Sequence, residues 1–176
     1  MDMILTGEIM DISAKKCLIK RKNIIKEVAH RYNLDYKIIF SIFLIETRFR
    51  PSWFRFIEYI ALFYGIFLNL LFKKRLLNYT IGCFQIGLEN ILRFDSGTKN
   101  QHKRYIENLT VIEIGCVLRS LPFKKNCEIA GWFISEISQK YRFYDDAYKI
   151  KYIALAYNGS YKYAEMLENI YQSIQY

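Results

Sequence analysis

The chain has 176 residues, of which 52% are hydrophobic and 17% aromatic, and carries a formal net charge of +9. That length suits one domain with a proper core, and the apolar content excludes a disordered chain. The basic balance favours an anionic partner, whether nucleic acid, membrane or an acidic cell-wall polymer, and equally fits ordinary solubility charge.

Residues 1–22 form an N-terminal basic extension, with Lys15, Lys16, Lys20, Arg21 and Lys22 clustered in it. Acidic residues come early and no apolar core precedes a small-residue cleavage site, so no secretory signal is visible in this stretch. Residues 23–176 are expected to form the domain. "NIIKEVAHRYNLD" sets Ile24, Ile25, Val28, Ala29 and Tyr32 at helical spacing. Asn33 and Asp35 offer a turn and an N-cap to a second helix, "YKIIFSIFLIETRF". Pro51 disfavours helical geometry at Arg50 and marks the end of that helix.

Residues 54–72, "FRFIEYIALFYGIFLNLLF", are the most apolar segment. The charge-free run Tyr59–Phe72 has fourteen residues. A spanning helix needs about 20, so the length predicts a buried or interfacial helix. The basic flank Lys73-Lys74-Arg75 and the aromatic content keep a peripheral membrane contact through residues 54–72 open. A polar turn and a glycine-bounded segment follow, then a helix from Leu88. "DSGTKNQHK" is the clearest surface loop. Thr110 with Glu113 fits a capping box opening "VIEIGCVLRSL", which Pro122 closes. Helices are expected at "NCEIAGWFISEISQKY", "DDAYKIKYIALAYN" and "SYKYAEMLENIYQSI", with Gly159 as a C-terminal cap between the last two. No stretch shows sustained period-2 alternation. The expected fold is mainly α.

Cys17, Cys83, Cys116 and Cys127 lack CxxC spacing and neighbouring histidines, so a zinc site has little support. Two disulfides and reduced core thiols both fit that count. His30 and His102 are isolated in sequence, and neither a metal nor a cofactor is expected.

Glu46 stands out, because it lies in an apolar stretch just before a helix end. With Glu46 set at zero on an ideal helix, Ile39 falls at about +20°, Ile42 at about −40° and Phe43 at about +60°. The carboxyl group points into an apolar band, where desolvation would raise its pKa into the range of a general acid. Arg50 at i+4 offers the opposite reading, an exposed ion pair worth a few tenths of a kcal/mol. Periodicity alone leaves both open.

Three segments, in this order, carry a resemblance: "ETRFRP", "YTIGCFQIG" and "ALAYNGS". They resemble the signature segments of soluble lytic transglycosylases and the related goose-type lysozymes. The matching positions are Glu46-Thr47 with Phe49 and Pro51, then Gly82-Cys83-Phe84-Gln85-Ile86, then Ala156-Tyr157-Asn158. The resemblance implies a lysozyme-like α domain with a cleft for the glycan strand of peptidoglycan, working in the cell envelope as a monomer. It implies Glu46 as the catalytic acid and base in cleavage between N-acetylmuramic acid and N-acetylglucosamine, ending in a 1,6-anhydro product. It further implies that Thr47, Gly82, Phe84, Gln85, Tyr157 and Asn158 contact or frame the sugar, with Tyr157 steadying Glu46.

Three departures accompany it. Thr47 stands where the family has Ser, and Cys83-Phe84 replaces a Leu-Met type pair. Gln85 follows Glu46 by 39 positions, more than the family uses. The extra length is an apolar helical insert at about residues 53–78. Readings beside the transglycosylase are a hydrolase on the same bond, a non-catalytic glycan-binding or membrane-associated domain, and a helix-turn-helix module over residues 24–43. The last lacks base-reading side chains, since Lys37 stands alone near the start of the second helix, and no nucleic-acid partner is expected.

Overall fold

The structure is a computed structural model. It describes residues 12–49, 52–96, 105–106, 109–142 and 145–174. Those residues are mainly α: eight helices and four two-residue strands. In chain order they are α1 (Ile12–Arg31), α2 (Tyr36–Phe49), α3 (Ser52–Phe72), β1 (Leu76–Leu77), β2 (Thr80–Ile81), β3 (Ile86–Gly87), α4 (Leu88–Ser96), β4 (Tyr105–Ile106), α5 (Val111–Ser120), α6 (Phe123–Lys140), α7 (Asp146–Asn158) and α8 (Tyr161–Ser173). The chain divides into two compact units, Met1–Ile42 with Ile134–Tyr176, and Phe43–Phe133.

In the first unit the lysine-rich part of the basic stretch is helical. It runs from Ile12 in one helix with the amphipathic segment expected from Ile24. Lys22, of that cluster, and Lys26 beyond it place their ammonium groups 5.9 and 5.2 Å from the ring centres of Phe40 and Tyr36, over their aromatic faces. α1 ends as its sequence predicts. Asn33 takes the left-handed conformation at φ 51°, and the Leu34 amide donates to the Ala29 carbonyl. Asp35 then caps α2. One carboxylate oxygen accepts from the Lys37 amide at 2.9 Å and the other from the Tyr171 hydroxyl at 2.7 Å. The core of this unit is aliphatic, with Ile25, Ile39, Ile134, Ile153 and Leu167 fully enclosed. α7 and α8 form a helical hairpin turned by Gly159 at φ 78°, whose amide donates to the Leu155 carbonyl at 2.7 Å.

In the second unit two small antiparallel ladders punctuate the helices. β1 pairs with β4 in the register Leu76↔Ile106, and β2 with β3 in the register Ile81↔Ile86. Each is too short to leave a period-2 pattern. Thr110 opens α5 with the expected capping box: its hydroxyl accepts from the Glu113 amide, and the Glu113 carboxylate accepts from the Thr110 amide at 2.7 Å. Phe43, Phe84 and Phe123 form the aromatic centre, with ring centres 5.4–5.8 Å apart in tilted and edge-on pairs. Residues 97–104, most of the expected surface loop, lie outside the described residues.

The apolar segment is one helix, α3, but it is not buried. Leu62, Ile66 and Asn69 face the unit's interior, while Trp53, Phe56, Ile60, Tyr64, Phe67 and Leu71 are 53–65% exposed. From Trp53 to Phe72 the helix is long and apolar enough to cross a membrane, by length and composition. Asn69 ties the end of α3 down: its amide nitrogen donates to the Lys74 carbonyl at 2.7 Å, and its oxygen accepts from the Leu109 amide at 2.8 Å.

Candidate functional site

Glu46 sits in the last turn of α2 and is only 7% exposed, beside Ile42 and Ile45 at 0% and 2%. Its burial agrees with the direction set by helical periodicity and not with a carboxylate on an open surface. Arg50 and Pro51 lie outside the described residues. Next along the helix, Thr47 turns its hydroxyl back onto its own helix, donating to the carbonyls of Phe43 and Leu44.

The Gly82–Gln85 turn links β2 to β3 in the same unit. Gly82 adopts φ 81°, a left-handed conformation, and a Cβ there would land on the Asn126 side-chain amide. Both facts require glycine. Asn126, wholly enclosed on α6, clamps the turn: its oxygen accepts from the Phe84 amide at 3.0 Å and its nitrogen donates to the Ile81 carbonyl at 3.4 Å. Phe84, expected against substrate, is fully buried in the aromatic centre instead, because its ring packs between Phe43 and Phe123. It supports the turn from below and presents no surface to a ligand.

Gln85 takes the left-handed conformation at φ 49°, and its side chain is nearly enclosed. The amide oxygen accepts from the Thr80 hydroxyl at 2.8 Å. The nitrogen donates to the Gly82 carbonyl at 3.0 Å and to a Glu58 carboxylate oxygen at 3.4 Å. This side chain braces the turn.

Two residues of the insert join this group, and neither was anticipated. Arg55 donates from one guanidinium nitrogen to the Glu46 carbonyl at 3.4 Å and from another to the Cys83 sulfur at 3.3 Å. Glu58, one helical turn on, meets Gln85. Sequence held one signal for them: the only two charges in an apolar segment stand three apart, hence on one helix face. On the same helix, burial pushes the Tyr59 phenol above its ordinary pKa. The neighbouring Cys83 and Glu58 add to the rise, and the Arg55 guanidinium opposes it. Glu46, Arg55, Glu58, Cys83 and Gln85 thus gather the end of α2, the start of α3 and the β2–β3 turn around one locus.

Tyr157 and Asn158 belong to the other unit. Tyr157 is half-buried and stacks on Tyr163 with ring centres 6.3 Å apart. Asn158 is exposed at the last position of α7, next to the Gly159 cap. Among the described residues no set of His, Cys, Asp and Glu could hold a metal ion, and Cys83, Cys116 and Cys127 are free thiols. The chain matches no family model, no curated protein and no solved structure.

Proposed function

We propose that the chain is a lysozyme-like lytic transglycosylase acting on peptidoglycan, with Glu46 as its single acid and base. One observation carries the reading: an acidic side chain in the last turn of an apolar helix is buried, in the same unit as a Gly-x-x-Gln turn. Glu46 gives its proton to the glycosidic oxygen as the bond from the N-acetylmuramic acid carbon breaks. The N-acetyl oxygen of that sugar closes on the carbon and holds its developing positive charge. The Glu46 carboxylate next removes the proton from the sugar's own 6-hydroxyl, whose oxygen displaces the acetamido group and leaves the 1,6-anhydro end. Because the substrate supplies the nucleophile, no second carboxylate at a fixed spacing is needed, unlike in most glycosidases.

In this reading Gly82 and Gln85 shape the wall of the glycan cleft through the backbone of their turn. Tyr157 and Asn158 carry the third motif of the resemblance. Thr47 follows the acid where the resemblance has a serine. The envelope is the place of work.

Digestion of purified sacculi by wild type and by Glu46→Gln, with products resolved by mass, tests this. Anhydro-ended fragments from wild type are expected, falling by about 10²–10⁴-fold in the variant as a general acid is lost. Equal product from both proteins, or none from wild type on several sacculus types, overturns it. Water-added ends would instead make the enzyme a hydrolase of the same bond.

A further inference from the structure

α3 is built inside out for a helix at a water-facing surface. On an ideal helix its outward residues Trp53, Phe56, Ile60, Tyr64, Phe67 and Leu71 fall within an arc of about 80°. The residues directed into the protein, Arg55, Glu58, Leu62, Ile66 and Asn69, fall within a roughly opposite arc of the same width. Both of the helix's charges and its asparagine therefore face the protein, while the face turned to solvent is wholly apolar and aromatic. A surface helix ordinarily does the reverse. The outward face runs about 30 Å along the helix, well beyond the scattered apolar exposure of ordinary surfaces.

We infer that α3 is a membrane-docking helix that lies in the plane of an anionic bilayer, its outward face sunk into the boundary between headgroups and acyl chains. Three observations select this occupant. Lys73, Lys74 and Arg75, all exposed, follow the apolar face directly, where lipid phosphates would meet them. Trp53 and Tyr64 are exposed members of the face, and their amphipathic rings favour the membrane–water interface. The face itself carries no acidic side chain, since Glu58 turns inward to Gln85. A second copy of α3 therefore offers nothing to neutralise the basic cluster.

The same geometry excludes a spanning helix. Crossing the bilayer would expose the inner arc to lipid, and Arg55, Glu58 and Asn69 are bonded there to Cys83, the Glu46 carbonyl, Gln85, the Lys74 carbonyl and the Leu109 amide. In-plane docking buries one arc in lipid and leaves the other in protein. The inference is independent of the chemistry assigned to Glu46.

Flotation of the full chain with vesicles is the test, comparing phosphatidylglycerol–phosphatidylcholine mixtures with phosphatidylcholine alone. Wild type should float with the anionic vesicles, and less so at high salt. Ile60→Glu with Phe67→Glu, at the middle of the face, should lower partitioning by at least about tenfold, since two apolar contacts become charges. Reversing Lys73, Lys74 and Arg75 to Glu should remove the anionic preference. Trp132→Phe leaves Trp53 as the only tryptophan, and its emission should shift to the blue and be quenched by lipids brominated on the acyl chain. That probe needs no change to α3. Unquenched Trp53, wild type left at the bottom of the gradient, or a lipid-independent dimer broken by the Glu pair would each overturn the inference.

Discussion

Asn126→Ala measures what holds the Gly82–Gln85 turn. The wild-type side chain is wholly enclosed and makes two bonds to backbone 42 and 45 positions away. Its loss takes from the buried Phe84 amide its bond to the Asn126 oxygen, at a cost of about 1–3 kcal/mol. The Ile81 carbonyl loses a longer bond, 3.4 Å against 3.0 Å, worth about 0.5 kcal/mol. The small void left behind adds about 0.5–1 kcal/mol. The sum is a destabilisation of about 2–4.5 kcal/mol, readable as a lower urea midpoint at unchanged slope. Gly82→Ala should destabilise as well, because its new Cβ displaces the same amide. The two changes together should cost less than their sum, since each removes the same clamp. A loss under about 0.5 kcal/mol for Asn126→Ala, or strict additivity with Gly82→Ala, would refute the assignment of Asn126 as the clamp.

Two further outcomes follow from the helices and thiols. Gly159→Ala places a side chain at φ 78° with nothing within 4 Å of its Cβ, so the penalty is backbone strain alone. Thermal unfolding should show a loss of about 1–2 kcal/mol, with Gly159→Asn recovering part of it. In a Cys17→Ser background, a thiol reagent at neutral pH should modify half-exposed Cys83 first, and buried Cys116 and Cys127 far more slowly. Burial pushes the Cys116 thiol above its ordinary pKa, with the Asp95 carboxylate adding and Arg119 opposing. Less thiolate is present at pH 8 than in a free cysteine, and native-state labelling of Cys116 should quicken only as pH rises further. Rapid labelling of Cys116 at neutral pH would contradict its placement.

Local chemistry was the legible part of the sequence. α2 runs Tyr36–Phe49 as its apolar spacing and Asp35 cap announce, and Thr110–Glu113 and Gly159 act as their types predict. The inward direction of Glu46 followed from the same arithmetic. The start of α1 at Ile12 did not, because a lysine-rich stretch supports helix without leaving an apolar stripe. Composition marked α3 as apolar but could not tell which side packs, and the usual rule that charges face water pointed the wrong way for Arg55 and Glu58. Asn126 carries no local pattern at all, since its partners are brought to it only by the fold.

Gln85 occupies a backbone conformation that costs an ordinary side chain about 1 kcal/mol and costs glycine nothing. A redesign aimed at thermal tolerance would therefore reach first for glycine at this position. That exchange would relieve the torsion and sever, in one step, the links to Thr80, Gly82 and Glu58. Through Glu58 the last of these links reaches α3, so the tempting local repair would uncouple the turn from the helix beside it.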